Sequence, residues 1–170
     1  MKRVYIYVIV GVGIGVVAIA LLNRKLILKV VWDIYTEQRI KTLHPDIQKD
    51  VRRFINNADK KGIHLRVTDA FRTFREQDAL YAKGITPAKG GQSYHNWGLG
   101  FDVVEIKDGK GLYDNPKWEE IGKLGERFGF EWGGRWSKPD LPHFERSFGY
   151  RTSQLLALTE QTGEKYPQIA

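Results

Sequence analysis

The chain holds 170 residues, enough for one compact domain with an appendage and too few for a multidomain machine. Its 42% hydrophobic and 12% aromatic content can fill an ordinary core, which excludes global disorder, and the absence of cysteine excludes a disulfide framework, a thiolate metal site and a thiol nucleophile. A net charge of +7, from 27 Lys and Arg against 20 Asp and Glu, suits nucleic acid, an anionic membrane face or an acidic wall polymer without choosing among them.

From Val4 to Leu22 the chain carries no charge, with Lys2 and Arg3 before the run and Arg24 and Lys25 after it. As a helix these residues would reach about 28 Å, close to the hydrocarbon thickness of a bilayer. A transmembrane helix over residues 1–25 is therefore expected. Ala18-Ile19-Ala20 has the form of a signal cleavage site, but the apolar character continues through Leu21, Leu22, Leu26, Ile27 and Leu28, which favours an uncleaved anchor. Gly11, Gly13 and Gly15 moderate its hydrophobicity, so slow release from the bilayer is a further expectation. Basic residues flank both ends and leave the topology to be decided by function.

Residues 26–42 have a helical pattern in Leu26, Val30, Ile34 and Ile40, and are read as a linker that can lie on the membrane surface. A domain over residues 43–150 then opens with a helix from Pro45 to about Lys60, whose apolar face is Ile47, Val51, Phe54, Ile55 and Ala58 and whose terminator is Gly62. Alternation from Ile63 predicts a strand ending near Phe71, and Thr73 with Glu76 forms a capping box for the next helix. Residues 84–92 read as an exposed loop, Phe101–Ile106 as a strand, and Asn115-Pro116 as the start of a helix ending at Gly129. Short strands at 130–132 and 142–148 and a last helix near residues 152–161, within a carboxyl-terminal segment 151–170, complete an α+β fold. In it helices flank a small, mainly antiparallel sheet.

Chemistry concentrates in Ser93-Tyr94-His95-Asn96-Trp97-Gly98-Leu99-Gly100-Phe101-Asp102 and in Asp140-Leu141-Pro142-His143-Phe144-Glu145. On one straight helix His95 and Asp102 would stand about 10.5 Å apart along the axis, too far to share a metal. Gly98 and Gly100 permit a turn that returns His95 to the strand bearing Asp102, and His143 completes a zinc site of two imidazoles and one carboxylate, with a fourth position for water. Asp140 is assigned as the base, Glu145 as the partner that orients a ligand imidazole, and Arg72 as the group stabilising an oxyanion or gripping a substrate carboxylate. Tyr94, Trp97, Trp132 and Trp136 are candidates to wall a cleft, while His44 and His64 carry no assigned role. No phosphate-loop or nucleic-acid signature accompanies Gly133-Gly134 or the dispersed basic residues, so neither nucleotide nor nucleic acid is expected as a partner.

The Ser-x-His-x-x-Gly-x-x-x-Asp and Asp-x-x-His motifs, with Arg-Thr-x-x-Glu-Gln upstream, resemble the VanY-like D-alanyl-D-alanine carboxypeptidase and phage L-alanyl-D-glutamate endopeptidase family over roughly residues 43–148. The resemblance implies one zinc on His95, Asp102 and His143, catalysis by Asp140 and Arg72, substrate contacts from Ser93 and Gln77, and peptidoglycan stem peptides as substrate. It leans towards an L-alanyl-D-glutamate endopeptidase, endolysin-like, with a D,D-carboxypeptidase as the alternative. Such a substrate would place the domain on the periplasmic side of the cytoplasmic membrane. Gly100 stands where the family usually has alanine, and is expected to affect packing more than chemistry. The same fold occurs in hedgehog signalling domains, whose similar metal site is not used as a peptidase. A zinc-stabilised wall-binding module is therefore the alternative of another class.

Overall fold

The structure, a computed structural model, describes residues 24–169, with side chains from residue 30 onward. The apolar run Val4–Leu22 lies outside the described residues, and among these no helix is long and apolar enough to cross a membrane.

The chain begins with α1 (Arg24–Ile40) and α2 (Pro45–Lys60), followed by β1 (Leu65–Asp69), α3 (Phe74–Ala82), β2 (Gly100–Lys107) and β3 (Lys110–Leu112). It continues through α4 (Trp118–Glu126), β4 (Glu131–Trp132), β5 (His143–Glu145) and α5 (Thr152–Thr162). All strand pairings are antiparallel, in the order β1-β2-β5-β4. The far edge of β2 is shared, its first residues pairing with β5 and its last with β3. A bulge after Val67 sets Asp69 opposite Asp102.

Strand alternation divides the two faces. Phe101, Val103 and Phe144 turn into the core, where they meet Phe54 of α2, Phe130 and the apolar side of α4. The Phe54 and Phe144 rings lie 5.1 Å apart, and those of Phe101 and Phe130 4.9 Å apart at a steep angle, the edge-to-face arrangement aromatic rings favour. Asp102, His143 and Glu145 alternate with these residues and so share the opposite face.

The stretch read as a linker is held tightly to the domain. Thr36 and Arg39 of α1 reach the outer backbone of the edge strand β1: the Thr36 hydroxyl accepts from the Val67 N–H at 3.3 Å, and Arg39 donates to the Val67 carbonyl at 3.3 Å. Asp33 pairs with Arg66 at 2.5 Å, Glu37 pairs with Arg52 at 2.7 Å, and Ile40 enters the core. Val30 and Ile34, expected on an apolar helical face, point away from the domain and are exposed.

Two helix starts behave as their sequences predict, and a third is displaced. His44 caps α2, its Nδ1 accepting from the Asp46 N–H, which gives this buried histidine a structural role the sequence did not assign. Thr73 and Glu76 form both halves of the capping box on α3. Asn115 accepts from the Lys117 N–H, but α4 itself starts at Trp118 and ends at Glu126, three residues before Gly129. A cavity of about 750 Å³ between Trp32 and the β2–β3 hairpin, lined by Arg66, Glu105, Lys107 and Lys117, includes none of His95, Asp102, Asp140 and His143.

Candidate metal centre

His95 lies on a short 3-10 helix, Tyr94–Trp97, whose amino end is capped by the Ser93 hydroxyl and whose exit is Gly98 at φ +64. A side chain at Gly98 would also strike the His44 backbone nitrogen at 2.7 Å. The helix is therefore pressed against the start of α2, and the chain must reverse within two residues into β2. His95 thereby returns to the strand carrying Asp102, and the β2–β5 register pairs Asp102 directly with His143.

One donor atom from each of His95, Asp102 and His143 lies within 4.8 Å of the others. His143 Nδ1 stands 3.0 Å from Asp102 Oδ1 and 3.3 Å from His95 Nε2, and His95 Nε2 is 3.4 Å from the same carboxylate oxygen. The other ring nitrogens are committed elsewhere. His95 Nδ1 lies 2.5 Å from the Ala70 carbonyl, which can only accept, so that nitrogen bears the proton. His143 Nε2 is bound to Glu145 at 2.9 Å. Each imidazole therefore turns one nitrogen inward, and this donor set fits a divalent cation such as zinc.

Arg72 grips the second oxygen of Asp102 at 3.1 Å, leaving Oδ1 to face the imidazoles. The guanidinium is itself fixed by Asp69 at 2.9 Å and by the Gln77 side-chain oxygen at 3.3 Å. Arg72 thus lies on the candidate ligand rather than projecting freely towards a substrate. Burial alone would raise the Asp102 carboxyl, but the two imidazoles hold it well below the usual carboxylate range. For His143 burial works towards a lower value, yet the hydrogen bonds it donates to Asp102 and Glu145 prevail and its imidazolium is pushed up to about 9.

Asp140 closes a turn onto His143, whose N–H donates to the Asp140 carbonyl, and its own N–H donates to Gly133. Its carboxyl is raised by burial and by the negative charge of Asp102, against the opposing pull of His143, His95 and Arg72. The Trp136 ring centroid lies 5.1 Å from that of His143, so of the cleft tryptophans this one borders the site.

The other residues expected to contact substrate all have partners within the domain. Gln77 is fully buried, donating to the Ala88 carbonyl while accepting from Arg72, so it acts by holding Arg72 and the loop rather than by touching a substrate. Trp97 is also fully buried, with its indole N–H on Thr159. Trp132 lies in the core and donates to the Leu141 carbonyl. The Tyr94 hydroxyl donates to Tyr150, and Ser93 serves as a helix cap. Sequence reasoning missed Asp69 and Asn96. Asn96 is buried and ties the Gly91 N–H to the Arg72 carbonyl; the available signal for Asp69 was a carboxylate ending a strand three residues before an arginine.

Gly100 packs closely on the cluster. A β-carbon there would stand 3.2 Å from His143 Cε1 and 3.1 Å from the His95 backbone nitrogen, against both candidate ligands.

A family model described as D-alanyl-D-alanine carboxypeptidase matches residues 86–146, the stretch that contains the whole cluster. The peptidoglycan L-alanyl-D-glutamate endopeptidase CwlK of Bacillus subtilis is 39% identical over 121 residues, covering 61% of this chain and 72% of that protein. Among solved structures, the L-Ala D-Glu endopeptidase ChiX of Serratia marcescens superposes with a TM-score of 0.58 at 23% identity, over 66% of this chain and 86% of the other. The vancomycin-resistance D,D-pentapeptidase VanY in complex with Zn(II) gives a TM-score of 0.50 at 18% identity, over 61% and 72% of the two chains, and so shares the fold. With nearly three quarters of a curated relative aligned and the motif-bearing segment matched, this chain belongs to the family of VanY-like D-alanyl-D-alanine carboxypeptidases and L-alanyl-D-glutamate endopeptidases.

Proposed function

We propose that this chain is a zinc peptidase that hydrolyses the L-alanyl-D-glutamate bond of peptidoglycan stem peptides, and that the apolar run Val4–Leu22 holds it on the periplasmic face of a membrane. The observation that carries the reading is the convergence of His95 Nε2, His143 Nδ1 and Asp102 Oδ1, with Asp140 on the turn that leads into His143. The 39% identity to an endopeptidase favours that bond over a terminal D-alanine. The anchor rests on the length and apolarity of the run and on a substrate that lies outside the membrane.

Those three atoms would hold the zinc, which when bound supplies a Lewis acid and a water acidified towards neutrality. The Ala70 carbonyl and Glu145 fix the two imidazoles with their free nitrogens inward. Arg72 occupies Asp102 Oδ2, so the carboxylate presents one oxygen, and its positive charge offsets negative charge that gathers on a substrate carbonyl. The Asp140 carboxylate accepts the proton of the attacking water and returns it to the departing amine.

Mass spectrometry of muropeptides released from purified wall tests the proposal. Zinc-loaded chain is expected to expose new amino groups on D-glutamate, and chelation abolishes this release. Asp140→Ala is expected to lower the rate about 10²- to 10⁴-fold, the usual contribution of a positioned acid–base group. Release of free D-alanine instead would replace the endopeptidase with a D,D-carboxypeptidase. Equal, negligible release by wild type and Asp140→Ala, with zinc and wall binding intact in both, would leave a wall-binding module.

A further inference from the structure

We infer that α1 is a membrane-surface helix, seated in the lipid interface by Val30, Val31, Ile34 and Tyr35, so that the catalytic domain stands on the bilayer in a fixed orientation. The inference rests on the anchor proposed above and goes beyond it, because an anchor alone would leave the domain free to swing.

The four residues fall on adjacent turns of one side of α1, and each is exposed, with Ile34 and Tyr35 both more than half accessible. The opposite side is committed to the domain. Thr36 and Arg39 bind the edge of β1, and Ile40 lies in the core. The side chains of α1 from residue 30 onward include two acids, and both face the domain in ion pairs, Asp33 with Arg66 and Glu37 with Arg52. The outward face is therefore apolar from Val30 to Tyr35, with the neutral Gln38 following on the same side, and it carries no acidic residue. An apolar helical stripe of this kind demands an occupant.

The position of the helix in the chain identifies that occupant as lipid. The charge-free run ends at Leu22, and the chain is already helical at Arg24, so one residue separates the run from this helix. Arg24, Lys25 and Lys29 add positive charge to its opening turns, which matches an anionic lipid surface. Tyrosine at the margin of an apolar face is a frequent interfacial residue.

The absence of cysteine allows single labels to be placed on the full chain without background. Val30→Cys, Ile34→Cys and, as a control on the exposed end of α3, Lys83→Cys are coupled to an environment-sensitive fluorophore. Each labelled chain is reconstituted in vesicles of phosphatidylethanolamine and phosphatidylglycerol. The expected result is sedimentation with the vesicles, blue-shifted emission at 30 and 34, quenching there by nitroxide-bearing lipids, and neither effect at 83. Sedimentation with positions 30 and 34 as wet as 83 would overturn the surface helix and leave the anchor standing. Chain that stays in the supernatant would overturn both. Blue-shifted labels that lipid nitroxides do not quench, with cross-linking between Ile34→Cys chains, would assign the face to a second copy and also overturn the proposal. In a further variant, Val30→Glu with Ile34→Glu, a label at Tyr35→Cys is expected to lose its lipid quenching while the melting temperature is unchanged. Persistence of the quenching would count against the seated face.

Discussion

Glu145, through its carboxylate, and Gly133, through its lack of a side chain, are the positions on which the metal centre leans from outside. Glu145 accepts from His143 Nε2, and without its charge the imidazole would lose both orientation and basicity. Glu145→Gln is expected to weaken zinc binding roughly 10- to 100-fold, read by calorimetric titration, with the fold retained. Gly133 allows a close approach: a β-carbon there would lie 2.6 Å from the Asp140 carbonyl oxygen and 3.2 Å from His143 Cβ. Gly133→Ala must therefore displace the Asp140 turn. Because misplacing a catalytic group by about 1 Å costs on the order of 10²-fold, the rate should fall by that order while the zinc affinity falls less. Protonation gives a third test. In chelated protein the His143 value of about 9 lies above its ordinary 6.5, so its stabilising charge is fully present below pH 6.5 and is lost as pH rises through 9. Thermal melts of metal-free chain should fall across that window, and Glu145→Gln should flatten the decline. At this scale the three candidate ligands were legible because a glycine-broken motif and a short Asp-x-x-His spacing are local signals. The fates of Gln77 and Trp97 were not, since a glutamine or tryptophan beside a motif is the same letter whether it lines a cleft or, as here, lies with none of its surface exposed.

At the level of elements, capping and periodicity transferred well and partnering did not. The range of α2 and the reciprocal cap on α3 follow from Pro45, the apolar stripe ending at Ala58, and the Thr73–Glu76 pair. Thr73→Ala should cost about 1 kcal/mol in denaturant melts, the usual worth of such a cap. Glu76, held below its ordinary value by the Thr73 backbone and hydroxyl, contributes stability that is present above pH 4.5 and is lost as pH falls further. Strand β3 was missed because its three residues, Lys110–Leu112, give too short a pattern to read and form only against β2. The helix α1 was visible as a helix, but its attachment through Thr36 and Arg39 was not, because polar residues on a helix carry no periodic sign of the sheet edge they will meet.

For the whole molecule, the buried ligand face links metal binding to folding. Zinc that binds only the folded chain adds about 4 kcal/mol when its concentration is 1,000 times the dissociation constant. Chelation should therefore lower the melting temperature together with turnover, and restored zinc should recover both. The sheet and its helical cover followed from the α+β order of the sequence, whereas the face of α1 that is left outward is a property only the packed structure displays.

The seal that α1 places over β1 also decides what a proteolytic cut would leave behind. A protease cutting ahead of Arg24 would liberate a domain whose outer strand stays covered, whereas a cut between α1 and α2 would strip away Thr36 and Arg39 and leave the Val67 backbone groups open to pair with another chain. Fragments beginning at residue 24 should remain monodisperse on size-exclusion chromatography, and fragments beginning at residue 42 should self-associate. A cut that keeps the sheet edge covered would thus have to fall ahead of α1 rather than behind it.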